Sequence, residues 1–140
     1  MTEHRLRAIL MVAAVYHLLL GALMFFAPGT FYDSIGKFPP ENHHYIKDVA
    51  TFYIALGFVF FVSVRARSWR TPALVFAALE YAIHALNHLI DVQDASSDFV
   101  GWFDFFAIAL IALIFGALAS FAWRVRPPER AEPEAGERAE

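Results

Sequence analysis

There is no cysteine anywhere in the 140-residue chain. That absence excludes disulfides, thiolate metal sites, thiol catalysis and covalent attachment of a c-type haem. It leaves His, Asp, Glu and Met as the side chains available to a metal. Charge is scarce too: charged residues make up 18% of the chain and the formal net charge is −3. No basic cluster marks a nucleic-acid surface, so no nucleic-acid partner is expected. Lysine occurs only as Lys37 and Lys47, and no internal repeat is evident.

Hydrocarbon is what the chain has in excess. With 59% hydrophobic and 16% aromatic residues it is too apolar for an ordinary soluble domain. A helix crosses a hydrocarbon core of about 30 Å with roughly 20 residues. Four runs of that kind are read, over residues 8–27, 45–64, 72–90 and 99–123. The fold class expected is all-α, a four-transmembrane-helix bundle over residues 1–123 with the lipid bilayer as its main partner. The first run is read as a span and not a secretory signal, because Phe25-Phe26-Ala27-Pro28 does not resemble a small-residue cleavage site. Pro39 and Pro40 hold off the second helix, which Asn42 is placed to cap, and Asp98 is a candidate cap for the fourth. Residues 124–140 are charged and proline-broken, the composition of a disordered tail.

The arginines orient the bundle. Arg5, Arg7, Arg65, Arg67, Arg70, Arg124 and Arg126 flank one side, and the two lysines fall on the other. The positive-inside rule puts both termini in the cytoplasm, in a multi-pass protein of the cytoplasmic membrane.

Against this background the third run is unusual, since Glu80, His84, Asn87, His88 and Asp91 all fall on one face of a helix. Leu79, Ile83, Leu86 and Ile90 take the other side. A polar stripe within an apolar span is expected to face protein. The second span carries His44 and Asp48 one turn apart, the first carries His17, and the fourth carries Asp104 near its start. At 1.5 Å per residue, Glu80 and His17 each lie roughly 16 Å from the outer end of their span, near the midplane. The other groups lie closer to the outer face.

Two His-containing pairs at i, i+4 spacing, with Asp104 beside them, are chemically adequate for a divalent metal such as zinc, iron or copper. His44, Asp48, His84, His88 and Asp104 are the expected ligands. Glu80 and His17 form a deeper proton-accepting pair, His17 being read as a packing histidine bonded to Glu80. Alternatives stay open: a structural polar column in a non-enzymatic accessory or assembly subunit, with other membrane subunits or further copies of the chain as partners; or binding and transport of a quinone, a haem or protons. Catalysis is left undecided.

The segment Pro39-Pro40-Glu41-Asn42-His43-His44-Tyr45-Ile46-Lys47-Asp48, followed by His84-x-x-x-His88, resembles a group of small bacterial integral membrane proteins, common in actinobacteria and broadly DoxX-like. The resemblance spans about residues 6–120. Where members of the group carry a further histidine after the pair, this chain has Asp91. The resemblance implies a four-helix membrane bundle and brings the same His and Asp positions forward. It implies no activity.

Overall fold

The computed structural model describes residues 1–125, and over them the chain is helical with no strand. The elements are α1 (Glu3–Phe26), α2 (Pro28–Ser34), α3 (His43–Arg65), α4 (Arg70–Ile90) and α5 (Asp98–Arg124). Four helices, all but the short α2, are long and apolar enough to cross a membrane, the architecture of a multi-pass membrane protein. The tail expected to be disordered lies outside the described residues, apart from Arg124 and Val125, which close α5.

Local chemistry sets the helix ends. Thr2 accepts from the Arg5 N–H at the start of α1, and Asn42 accepts from the N–H groups of His44 and Tyr45 at the start of α3. The cap of α5 is Ser97, which accepts from the Val100 N–H; Asp98, the residue expected there, is instead the first helical one. Pro28 opens α2 between the first two apolar runs, and a proline suits a first helical position because its missing N–H would have no partner.

The helices pack as two hairpins. Antiparallel α1 and α3 lie closely along one another, as do α4 and α5, while α3 meets α4 more sparsely. Small residues permit the close approaches. A Cβ on Gly21 would stand 2.7 Å from Ile54 Cγ1 and 3.0 Å from the Ile54 nitrogen, and one on Gly57 would stand 2.8 Å from Leu18 Cγ. In the second hairpin Ala73, Ala77, Ala85, Ala119 and Ala122 are buried. Large rings then fill the space between hairpins: Phe60 stacks on Phe115 at 5.3 Å between centroids, and Tyr81 lies 5.6 Å from Phe115. Leu6, Leu10, Leu56 and Leu74 complete this core. Val12, Leu19, Ile83 and Leu113 face outward, as lipid-contacting residues do.

Each end of the bundle is tied differently. At the arginine-rich end Arg70, only 4% exposed, gives both Glu3 carboxylate oxygens a bond from Nη1 at 2.8 and 2.9 Å. The same side chain donates to the carbonyls of Ser63 and Val64 at 3.0 and 3.2 Å, satisfying acceptors that α3 leaves open as it ends. At the opposite end the Ser96 N–H donates to the Lys37 carbonyl at 3.0 Å, joining the two connecting loops.

Candidate functional site

The buried arc of α4 is defined by Ala73, Leu74, Ala77, Tyr81 and Ala85. On a helical wheel that arc centres about 90° from Glu80, with His84 about 40° and His88 about 80° around in the same direction. The polar stripe therefore runs along the flank of the buried face. Glu80, His84, His88 and Asp91 are half-buried, and Asn87, on the far edge, is exposed.

Three members of the stripe form a row. Glu80 Oε1 lies 3.6 Å from His84 Nδ1, an electrostatic contact longer than a hydrogen bond. His84 Nε2 lies 3.1 Å from His88 Nε2. The Phe38 ring meets His88 edge-on at 4.6 Å, so the loop before α3 covers the end of the row away from the arginines. Two buried side-chain atoms find no hydrogen-bond partner among the described residues, Glu80 Oε2 and His88 Nδ1, and they are the two ends of this row. A buried polar atom left unpaired costs about 1–3 kcal/mol, so their coincidence on one row calls for a physical account.

Proton positions follow from the carboxylate. An ionised Glu80 favours the His84 tautomer protonated at Nδ1, in which Nε2 is the acceptor for His88. His88 then donates from Nε2, and its own Nδ1 carries a lone pair. The row is thus bounded by an acceptor at each end. Asp104 lies on the inward face of α5, which Gly101, Ile108 and Phe115 share, and it is close enough to His84 to interact electrostatically.

His17 is buried against α4, although not through Glu80. Its two ring nitrogens are occupied by the Ala13 carbonyl at 2.7 Å and the Tyr81 hydroxyl at 3.0 Å. Tyr81 sits near the middle of the buried arc and Glu80 at its edge, and one residue of helix rotation decides which reaches α1. Tyr53, Phe60, Tyr81 and Phe115 surround the imidazole. Glu80 stays within electrostatic reach of His17, Tyr53 and Tyr81.

His44 and Asp48 do not join the row. They face each other at 3.4 Å as an exposed pair, with side chains 79% and 62% accessible. The buried face of α3 is set by Ala50, Tyr53, Gly57 and Phe60, and His44 and Asp48 lie roughly 150° around the helix from it. Among the described residues no group of three or more His, Asp or Glu is placed to hold a metal ion. The five expected ligands therefore divide into the exposed α3 pair and the His84, His88 and Asp104 neighbourhood. Sequence reasoning missed Tyr81 and Phe38. Tyr81 could have been found from its position on the wheel between Ala77 and Ala85; nothing in the sequence signals that Phe38 covers His88.

Comparison of the chain with family models, with curated proteins and with solved structures returns no match. The chemistry of the site rests on its own residues.

Proposed function

We propose that this is a protein of the cytoplasmic membrane, with both termini and the arginine turn in the cytoplasm, whose Glu80–His84–His88 row takes up a proton from the outer side and holds it on Glu80. The positive-inside distribution of arginine supports the orientation. A place among the small DoxX-like membrane proteins belongs to the same proposal and rests on the sequence resemblance. Support for the relay comes from the two unpaired acceptors that bound the row, His88 Nδ1 outside and Glu80 Oε2 inside. Ionisable groups at such depth are characteristic of proton relays in pumps and transporters.

The transfer balances atom by atom. The Phe38 loop must move off His88 for a proton to bind the lone pair of Nδ1; the His88 Nε2 proton then moves to His84 Nε2 across 3.1 Å. The His84 Nδ1 proton then moves to Glu80 Oε1, a gap of 3.6 Å that must shorten for the transfer. Both imidazoles end neutral with their tautomers exchanged, and the carboxylate is neutralised. The row must reset its tautomers before it can carry another proton. Indicator-dye measurement of proton uptake by the purified protein after a pH drop tests this: the parent takes up more protons per chain than Glu80→Gln, and equal uptake would contradict the proposal.

The spacing of the imidazoles favours a second reading. Two nitrogens about 2.0–2.1 Å from a shared ion and 3.1 Å apart subtend about 100°, close to the tetrahedral angle. Zinc, iron or copper suits such a pair, with Asp104 as a further donor and Glu80 orienting His84.

A further inference from the structure

A groove of about 510 Å³ opens between α4 and α5 at the arginine-rich end, on the outside of the bundle and away from the histidine row. Its walls are graded. Val75, Ala78, Leu79, Gly116 and Ala119 make the part nearer the middle of the helices apolar, and Thr71, Trp123 and Arg124 line its terminal end. Gly116 and Ser120 keep the floor low. A Cβ on Gly116 would meet nothing within 4 Å, and the Ser120 hydroxyl is turned back onto the Gly116 carbonyl at 3.0 Å.

Two observations point to what fills it. Thr71 is only 9% exposed and lines the groove, yet its hydroxyl makes no hydrogen bond within the described residues. The hydroxyl is not sealed among the buried unpaired atoms, so it stays accessible, and the groove that Thr71 lines is where a ligand can reach it. The second is charge. Arg7, Arg67 and Arg70 share the single carboxylate of Glu3, and those ion pairs leave out Arg124 at the groove mouth. The start of α4 has no side-chain cap, so the positive end of its dipole adds to the excess. The groove thus combines an acyl-sized apolar channel with a cationic, hydrogen-bonding end at the level of the interface.

We infer that the α4–α5 groove binds an anionic glycerophospholipid, its phosphate held by Arg124 and the Thr71 hydroxyl and an acyl chain lying over Gly116 between Val75 and Ala119. Guanidinium suits phosphate because its fork of N–H donors matches two oxygens, and Thr71 supplies a further donor. A zwitterionic headgroup gains less, since its own ammonium competes with Arg124.

The test is native mass spectrometry of the full chain in detergent, with added phosphatidylglycerol or phosphatidylcholine. Parent protein is compared with Gly116→Leu, Arg124→Gln and Thr71→Val. Gly116→Leu grows into the groove from a Cβ position with no neighbour within 4 Å, and Arg124→Gln changes an exposed residue; unchanged circular dichroism verifies that both keep the fold. The expected result is a phosphatidylglycerol adduct on the parent that falls about tenfold in Gly116→Leu and Arg124→Gln, the scale of a lost charge-assisted contact, and falls measurably in Thr71→Val. Equal adducts on parent and Gly116→Leu would overturn the inference, as would equal retention of the two lipids. A chain dimer broken by Gly116→Leu, with no lipid adduct on the parent, would overturn it in favour of a helix from a second copy.

Discussion

The Tyr81 hydroxyl stands 3.0 Å from His17 Nε2, while His17 Nδ1 stands 2.7 Å from the Ala13 carbonyl oxygen. A carbonyl only accepts, so Nδ1 carries the proton and Nε2 accepts from the Tyr81 hydroxyl. The pair joins α1 to α4 across the gap between hairpins, at a depth where water cannot substitute for either partner. Tyr81→Phe keeps the ring packing but leaves Nε2 buried and unpaired. It is expected to cost about 1–2 kcal/mol, read from the midpoint of unfolding in mixed detergent. A change within error would show that the bond contributes nothing net.

Helix approach within the first hairpin gives a second expectation. Gly21→Val places its branch against Ile54 and the Ala50 carbonyl, contacts that backbone cannot yield. Overpacking of this kind costs about 1–3 kcal/mol. Gly116→Val is the matched control, since its Cβ meets no neighbour within 4 Å. Thermal unfolding of the two variants side by side checks the difference.

At the arginine-rich end, the two partners of one ion pair are unequal. Arg70 is 4% exposed and serves Ser63 and Val64 as well as Glu3, whose side chain is 41% exposed. Arg70→Met removes the guanidinium from both carbonyls and the carboxylate, and is expected to cost about 3 kcal/mol. Glu3→Gln leaves those carbonyl bonds in place and keeps an acceptor oxygen for the guanidinium, so it should cost less than Arg70→Met. Equal losses would contradict Arg70's role as the tie between α1, α3 and α4.

Cobalt(II) titration followed by visible absorption separates the metal reading from the relay. A bound ion shared by the imidazoles gives a ligand-field spectrum that disappears in the double variant His84→Ala/His88→Ala. The variant His44→Ala/Asp48→Ala should leave it unchanged, because that pair points out of the bundle. Loss of the spectrum in the α3 variant, with retention in the α4 variant, would move the site to the N-terminal end of α3.

Much of this was legible in the sequence, for identifiable reasons. Four long apolar runs forced four helices, and Asn42 after two prolines marked the start of α3 because few residues cap so well. The stripe on α4 was visible from its period alone. Which stripe each neighbouring helix turned toward it was not, because rotation is decided by packing. Gly21 and Gly57 seat α1 on α3, and that seating carries His44 and Asp48 to the outside. Arg70 illustrates the same limit. Its charge reads as topology in the sequence, while its burial and four bonds depend on where α1 and α3 end.

The central claim is that the row delivers a proton to Glu80, and infrared difference spectroscopy of the lipid-reconstituted protein through a downward pH step tests it most directly. The account predicts a protonated-carboxyl band that grows as pH falls, is absent in Glu80→Gln, and is lost or slowed in His88→Phe, which breaks the row at its outer end. A band that persists in Glu80→Gln, or one that forms unchanged in His88→Phe, would contradict it.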